Sequence, residues 1–237
     1  MGAGRAGLGY RRCPARQSGT PASSVGRCDD GCVPVPDLPS YLTTLAAYEQ
    51  GVELYLERSP ASSSAATQQW LTRVVDLLPP GAEVLELGSG PGHDAAFLEA
   101  RGLKVLRTDG AVVFVDRLRA QGHRAEVLDV VTDPLPGRVD AVLACAVLLH
   151  LSPDELGGLL TRVAGAVGPR GLLAFTVKEG DHSGWSTAKL DGPRWFTYWR
   201  EPALRELLDT RSWVVVDIEP TRAREDWLHV IARPLSR

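Results

Sequence analysis

The sequence predicts an α/β fold with a doubly wound, mostly parallel sheet, and two observations carry that prediction. An apolar run over Val84–Leu87 ends in three alternating glycines, Gly88, Gly90 and Gly92, and a helix-compatible stretch begins at once. Segments typical of strands and helices then alternate through residue 177. Repeated strand–helix units imply right-handed crossovers and a parallel sheet with helices on both faces.

Two helices are expected before the sheet, at 42–57 and 68–78, joined by a Ser/Ala-rich connector at 59–67. The second helix ends at Pro79-Pro80-Gly81, because proline cannot continue a helix. Strands are predicted at 83–88, 104–108, 124–128, 139–146, 170–177, 212–218 and 226–233. The remaining helices are predicted at 92–101, 111–121, 153–167 and 201–209.

The helix predicted at 153–167 has the clearest boundaries. Ser152 can cap its first amides, Pro153 suits the first turn, and Glu155 completes a capping box. Gly168 then ends the helix.

Length, composition and charge narrow the class of protein. A chain of 237 residues with 44% hydrophobic and 23% charged residues suits one α/β domain with a full core. Residues 1–37 are expected to form a disordered tail, and their Cys13, Cys28 and Cys32 have no fourth ligand nearby, so no metal site is expected. No apolar stretch could span a membrane and no signal segment is recognisable, so a cytoplasmic location is expected.

The charge distribution argues against nucleic acid as a partner. Five arginines against three aspartates give residues 1–37 a charge of about +2, so the total of −3 leaves about −5 on the rest of the chain. An acidic body without a basic stripe is a poor nucleic-acid binder. Nucleic acid is therefore disfavoured as a partner. A small-molecule substrate and a monomer or homodimer are expected.

The glycine-rich turn indicates a ligand site at the strand end, and two ligand classes fit it. Gly90–Ala95 matches the dinucleotide pattern G-x-G-x-x-G/A, although a lone match is weak. The carboxylate of Glu86 would repel a diphosphate but would suit a cationic ligand such as S-adenosylmethionine. A dinucleotide and a sulfonium nucleoside both remain open on these residues alone.

A family resemblance favours the second ligand. Glu86–Gly92 resembles motif I of the class I S-adenosylmethionine-dependent methyltransferases, whose pattern is acidic-x-Gly-x-Gly-x-Gly. The family's later strand motifs have counterparts in the right order, at Leu103–Asp109, Ala125–Val130, Val139–Ala146 and Gly168–Thr176. The resemblance implies a Rossmann-like seven-stranded sheet with an antiparallel last strand, a helical N-terminal lid, and S-adenosyl-L-methionine as cofactor.

The same resemblance assigns residues to that cofactor. It implies that Asp109 takes the two ribose hydroxyls, and that Asp129 and Val130 meet the adenine. The remaining predicted cofactor contacts are Glu86, Gly88, Ser89, Gly90, Gly92, Gly110, Cys145, Ala146, Tyr48 and Tyr55. The implied organisation of residues 38–237 is a lid at 38–80, a cofactor-binding core at 81–178, an acceptor loop at 178–200 and a C-terminal helix and strands at 201–237.

The long segment 178–200 is predicted to form the acceptor wall, with some hairpin character, because long aromatic loops in compact domains are usually functional. Its predicted acceptor contacts are Trp185, Trp195, Tyr198 and Trp199. Catalytic candidates are His182 and Tyr198 in this segment and His150 just after the fourth sheet strand. Val147–Leu151 resembles the family's Val-Leu-His-His-Leu, with Leu149 in the first histidine position, which favours a structural role for His150.

The predicted function is methyl transfer from S-adenosylmethionine to oxygen, nitrogen or carbon of a small molecule, with natural-product tailoring as one setting. Two alternatives stand beside it. One is an NAD(P)-dependent oxidoreductase. The other is a protein of the same fold that binds cofactor without transferring a methyl group.

Overall fold

The computed structural model describes residues 38–222 and 225–235, so the predicted tail at 1–37 and its three cysteines lie outside the described residues. The helices in the described part are α1 (Ser40–Gln50), α2 (Val52–Arg58), α3 (Ala65–Asp76), α4 (His93–Glu99), α5 (Val112–Ala120), α6 (Pro153–Val167) and α7 (Glu201–Thr210). The strands are β1 (Glu83–Leu87), β2 (Lys104–Asp109), β3 (Ala125–Val127), β4 (Ala141–Ala144), β5 (Leu172–Glu179), β6 (Ser183–Ser186), β7 (Arg194–Trp199), β8 (Trp213–Thr221) and β9 (Trp227–Pro234). A 3₁₀ turn covers Leu148–His150.

Seven of these strands form the predicted open sheet, in the order β3-β2-β1-β4-β5-β9-β8. Strands β1 to β5 run parallel, and β9 is antiparallel to both β5 and β8. The strand order reverses direction between β1 and β4, which is where open α/β sheets bind ligands beyond the carboxyl ends of their strands. The predicted fold class is confirmed.

A hairpin of β6 and β7 adds two strands that the seven-strand prediction lacked. It occupies most of the segment predicted as the acceptor loop, with Trp185 paired to Trp195 across it. The pairing of β4 with β5 ends at Phe175 of β5. Beyond it, on the same side of β5, β7 pairs with Lys178 and Glu179. The hairpin thus prolongs the sheet past the end of β4 and raises one wall above the strand ends.

The core lies in two layers, because successive strand residues face opposite sides of the sheet. On one side, α3 and α4 bury Trp70 and Leu98 against apolar side chains such as Val84 and Leu143. On the other side, α6 and α7 pack against neighbours on the same strands, such as Leu85 and Phe175.

The N-terminal helices differ from the prediction in one respect. A single helix was expected at 42–57, but Gly51 divides it into α1 and α2. The amide of Gly51 donates to the carbonyl of Ala47 and closes α1, since glycine weakens the helix interior. Helix α3 begins at Ala65, three residues earlier than predicted. The Ser64 side chain caps it by accepting from the amide of Thr67.

The predicted capping box of α6 is confirmed. Ser152 accepts from the Glu155 amide, the Glu155 carboxylate accepts from the Ser152 amide, and Gly168 follows the last turn. This fixes where the chain turns away from the strand ends after the 3₁₀ turn. No helix in residues 38–222 or 225–235 has the length and apolar character that crossing a bilayer requires.

Candidate active site

A cavity of about 320 Å³ opens at the carboxyl ends of the parallel strands, beneath helices α1 and α2. Most of the residues predicted to bind cofactor line it: Gly88, Ser89, Gly90, Asp109, Gly110, Asp129, Val130, Cys145, Ala146, Tyr48 and Tyr55. Gly92 lies at the end of the glycine turn, outside the cavity wall, with a φ of +82°. The strand ends and the two N-terminal helices therefore converge on one site.

The end of β2 holds the glycine turn in place through Asp109. Its two carboxylate oxygens accept from the amides of Gly90 and Ala111, each at 2.8 Å. Burial raises the pKa of Asp109 to about 6, against the opposing effect of these two hydrogen bonds. The carboxylate keeps free lone pairs toward the cavity, so it can accept further hydrogen bonds from hydroxyl groups.

The end of β3 presents a second carboxylate. Asp129 accepts from the amide of Val131 at 2.8 Å, and both residues line the cavity with Val130 between them. On the other side of β1, the end of β4 places Cys145 and Ala146 on the wall. Ala146 has a φ of +57° and donates its amide to Thr176 Oγ1, a strained conformation held by its neighbour on β5.

Glu86 lies behind the glycine turn and does not line the cavity. It is 3% exposed, and one of its carboxylate oxygens has no hydrogen-bond partner among the described residues. Burial raises the pKa of Glu86 to about 8, and repulsion from Asp94 adds to the rise. Asp94, in the first turn of α4, is the carboxylate that reaches the cavity wall beside this turn.

We expect the unfolding free energy of Glu86→Gln, measured relative to that of the wild type, to rise by roughly 3–5 kcal/mol between about pH 5 and about pH 9. The folded-state pKa of about 8 lies above that of an unfolded glutamate. Protonated Glu86 therefore contributes stability that is fully present below the pKa of an unfolded glutamate. This contribution is lost as the pH rises through the folded-state pKa of about 8. Urea unfolding of both proteins at several pH values measures the difference.

The matched control for that substitution is Glu83→Gln, at the exposed start of the same strand, whose side chain is 61% exposed. It should show no comparable pH dependence. A stability difference between Glu86→Gln and wild type that is constant with pH would contradict the expectation.

Aromatic side chains from α1, α2 and α5 cover the cavity. The rings of Tyr48 and Tyr55 meet edge to face at 5.3 Å, and Tyr55 meets Phe114 at 5.6 Å. The connector after α2 also lies on the wall, where Ser63 donates to the carboxylate of Asp94. The predicted lid segment thus contacts the site through both its helices and its connector.

His150 lies at the far end of the cavity with both ring nitrogens engaged. Its Nδ1 is 2.6 Å from the carbonyl oxygen of Trp195, which can only accept, so Nδ1 carries the proton. Burial lowers the pKa of His150 to about 3, so the ring is neutral and its Nε2 accepts from the Tyr48 hydroxyl at 3.0 Å. Arg194 in turn donates to the Tyr48 oxygen at 3.2 Å.

The other catalytic candidates lie outside the cavity wall. His182 is exposed on the hairpin and stacks on Tyr198 at 4.2 Å. Of the predicted acceptor contacts, Trp185 and Trp195 pack on each other at 5.3 Å, and Trp199 is buried in the core. The hairpin reaches the cavity through Lys189, between its two strands.

Sequence reasoning missed Asp94, Lys189 and the connector that carries Ser63. Each left a signal. Asp94 lies two residues after the last glycine of the turn, Lys189 is a cation inside an aromatic segment, and the connector is a run of small, mostly polar residues between two lid helices.

The cavity suits S-adenosylmethionine better than a dinucleotide. Asp94, Asp109 and Asp129 all line it, and carboxylates accept from hydroxyl and amino groups but repel a diphosphate. Ser89, beside the turn, lines the cavity and is 7% exposed.

The sheet order and the acidic, glycine-lined cavity define a class I S-adenosylmethionine-dependent methyltransferase. A family model described as a methyltransferase domain matches residues 55–217. The chain belongs to this methyltransferase family, and S-adenosyl-L-methionine is its cofactor.

Solved structures share the fold. A 1,6-didemethyltoxoflavin-N1-methyltransferase from Burkholderia thailandensis aligns with a TM-score of 0.67 and 23% identity, over 86% of this chain and 94% of that one. DhpI in complex with SAH aligns with a TM-score of 0.64 and 24% identity, over 84% and 98%. The CcbJ methyltransferase from Streptomyces caelestis aligns with a TM-score of 0.63 and 15% identity, over 83% and 98%. No curated protein matches the chain significantly.

Proposed function

We propose that this enzyme transfers the methyl group of S-adenosylmethionine to a small molecule held between the strand ends and helices α1 and α2. The observation that carries the proposal is the cavity itself, which continues from the acidic cofactor wall to Tyr41, Thr44 and His150. The two named neighbours whose structures contain SAH, the didemethyltoxoflavin enzyme and DhpI, support it, and the former also holds its small acceptor. Natural-product tailoring is the proposed setting, with a monomer or homodimer working in the cytoplasm.

The chain's own residues would orient the reactants and exclude water. When bound, the cofactor supplies an electrophilic methyl group on a sulfonium sulfur. Asp109 and Asp129 would hold its nucleoside end, and Cys145 and Ala146 would flank its methionine end. Tyr48 and Tyr55, pressed together above the cavity, would cover the acceptor. Alignment of this kind can remove roughly 7–11 kcal/mol of barrier in favourable cases.

Calorimetric titration with S-adenosylhomocysteine tests the proposal. We expect stoichiometric binding, and a rise in unfolding free energy of about 2.7 kcal/mol at a ligand concentration 100 times Kd. NADH serves as the matched ligand, because the Gly90–Ala95 pattern fits a dinucleotide formally. Binding of NADH without binding of S-adenosylhomocysteine would overturn the proposal in favour of hydride transfer.

The transfer itself needs a separate measurement. Incubation with S-adenosylmethionine and a mixture of small molecules should yield products heavier by one methyl group, seen by mass spectrometry. Cofactor binding without any methylated product, across acceptors of oxygen, nitrogen and carbon type, would instead indicate a binding protein with this fold.

A further inference from the structure

We propose that the methyl acceptor is an oxyanion, of carboxylate or phosphonate type, which Lys189 anchors and which is methylated on its own anionic oxygen. The inference rests on the proposed function and adds the chemical class of the substrate. Three observations carry it: a lysine on the cavity wall, a buried arginine behind that wall, and a histidine that is not free to act as a base.

Lys189 is positioned to contact an anion in the cavity. It lies between the two hairpin strands and lines the cavity, with its ammonium 4.1 Å from the ring centroid of Tyr55. In residues 38–222 and 225–235 no carboxylate lies within ion-pair distance of it. Burial lowers the pKa of Lys189, and repulsion from Arg194 lowers it further. An anionic ligand would relieve both effects.

Arg194 adds a second cation behind the wall. The residue is 5% exposed, and its Nε has no hydrogen-bond partner among the described residues. Its guanidinium lies near the rings of Tyr48 and Phe196, at 5.5 and 5.1 Å, and no carboxylate in residues 38–222 or 225–235 is in ion-pair range of it. A buried charge without a counter-ion is costly, and an anion on the far side of Tyr48 would offset that cost.

The charges of the cavity are therefore divided. Asp94, Asp109 and Asp129 line the part assigned to cofactor, whereas Lys189 lies over Tyr55 of α2. Arg194, which does not line the cavity, donates to Tyr48 of α1 from behind the wall. This division would direct an anion to the acceptor end and repel it from the glycine turn.

Two histidines line the cavity: His93 lies at the glycine turn, at the start of α4, and His150 is already engaged at both ring nitrogens. His150 donates from Nδ1 to the Trp195 carbonyl and accepts at Nε2 from Tyr48. Burial raises the pKa of both Tyr48 and Tyr55, which keeps their hydroxyl groups protonated. His150, Tyr48 and Tyr55 therefore do not supply a base to an acceptor that must lose a proton, whereas an oxyanion arrives already deprotonated.

The step balances without a proton. A lone pair on the acceptor oxygen forms the new O–CH₃ bond while the S–CH₃ bond breaks, and sulfur keeps that electron pair. The products are a methyl ester and S-adenosylhomocysteine. A second oxygen of the same anionic group stays paired with Lys189 throughout.

The test uses the full chain and S-adenosylmethionine with a labelled methyl group. The acceptors are aliphatic and aromatic carboxylates, the matching phosphonates, and the matching neutral amides and alcohols. Mild alkali separates the two anion types, because carboxylic methyl esters release methanol while phosphonate monoesters persist. Lys189→Met should lower kcat/KM for the anion by about 10- to 100-fold with no change in S-adenosylhomocysteine affinity, and Lys189→Arg should recover part of the loss.

Lys104→Met is the matched control. Lys104 starts β2, at the end of the strand away from the cavity, and its side chain is 72% exposed. It should leave kcat/KM unchanged. Alkali-labile or alkali-stable labelled products both support the inference and name the anion. Methylation of neutral acceptors alone, unaffected by Lys189→Met, overturns it while leaving methyl transfer intact.

If none of the acceptors is methylated, a binding measurement still tests the inference. Each anion and its amide are titrated into enzyme saturated with S-adenosylhomocysteine. Anion binding that weakens in Lys189→Met supports the inference, and anions that bind no better than their amides overturn it. Failure of S-adenosylhomocysteine itself to bind would overturn the proposed function instead.

Discussion

Replacement of Asp109 by asparagine is expected to weaken S-adenosylhomocysteine binding by roughly 100-fold, about 3 kcal/mol. The carboxylate accepts from the amides of Gly90 and Ala111 and is assigned to the ribose hydroxyls. An asparagine offers one acceptor oxygen in place of two, so it cannot satisfy both amides and also receive the ribose. Calorimetric titration measures the loss.

The pH dependence of binding provides a second readout of the same group. The ionised form accepts hydroxyl hydrogens, so affinity should hold above the Asp109 pKa of about 6 and decline as the pH falls below it. The asparagine variant should lack that decline. Asp116→Asn on α5, whose side chain is 66% exposed, is the matched control and should bind as the wild type does. An unchanged Kd in Asp109→Asn would remove this residue from the cofactor site.

Gly88→Ala is expected to destabilise the fold by roughly 3–5 kcal/mol. Gly88 has a φ of +65°, and a Cβ there would lie 2.3 Å from Cγ2 of Val147. The conformation alone costs an alanine about 1 kcal/mol, and overlap with Val147 accounts for the rest. Urea unfolding gives the free energy, and calorimetry should show that cofactor affinity falls with it.

A double substitution separates the two causes. Val147→Ala in the Gly88→Ala background should recover roughly 1–2 kcal/mol by removing the overlap, while the backbone strain remains. Gly122→Ala isolates that strain, because Gly122 has a φ of +85° and a Cβ at this position would have no neighbour within 4 Å among the described residues. If Gly88→Ala cost no more than Gly122→Ala, close packing of the turn against Val147 would not be what requires glycine at position 88.

The cofactor half of the site could be predicted from the sequence because its signals are local. Apart from Tyr48 and Tyr55, the predicted contacts lie at or near the ends of strands, and parallel strands bring their carboxyl ends to one edge. The order of motifs along the chain is therefore enough to place Asp109, Asp129 and Ala146 near the glycine turn. The capping box at Ser152 could be predicted for the same reason, since it depends on four consecutive residues.

The acceptor half could not be predicted in the same way. The aromatic residues of segment 178–200 indicated a wall, but side-chain direction there depends on how β6 pairs with β7 and on which strand β7 joins. Those pairings are tertiary, and they direct Trp199 into the core and leave Lys189 facing the cavity. Likewise, Tyr48 and Tyr55 could be assigned to one helix by spacing, whereas the break at Gly51 places them on two.

The interlocking of α1 with the hairpin has a consequence for how substrate choice could change. The Trp195 amide donates to Thr44 and its carbonyl accepts from His150, so these distant segments form one unit above the strand ends. The residues assigned to the nucleoside lie elsewhere, at the end of β2 and just after β3. Replacing residues 40–58 and 183–199 together with those of a relative should therefore transfer acceptor selectivity and leave S-adenosylmethionine binding intact. Replacing either segment alone should disrupt the contacts between them.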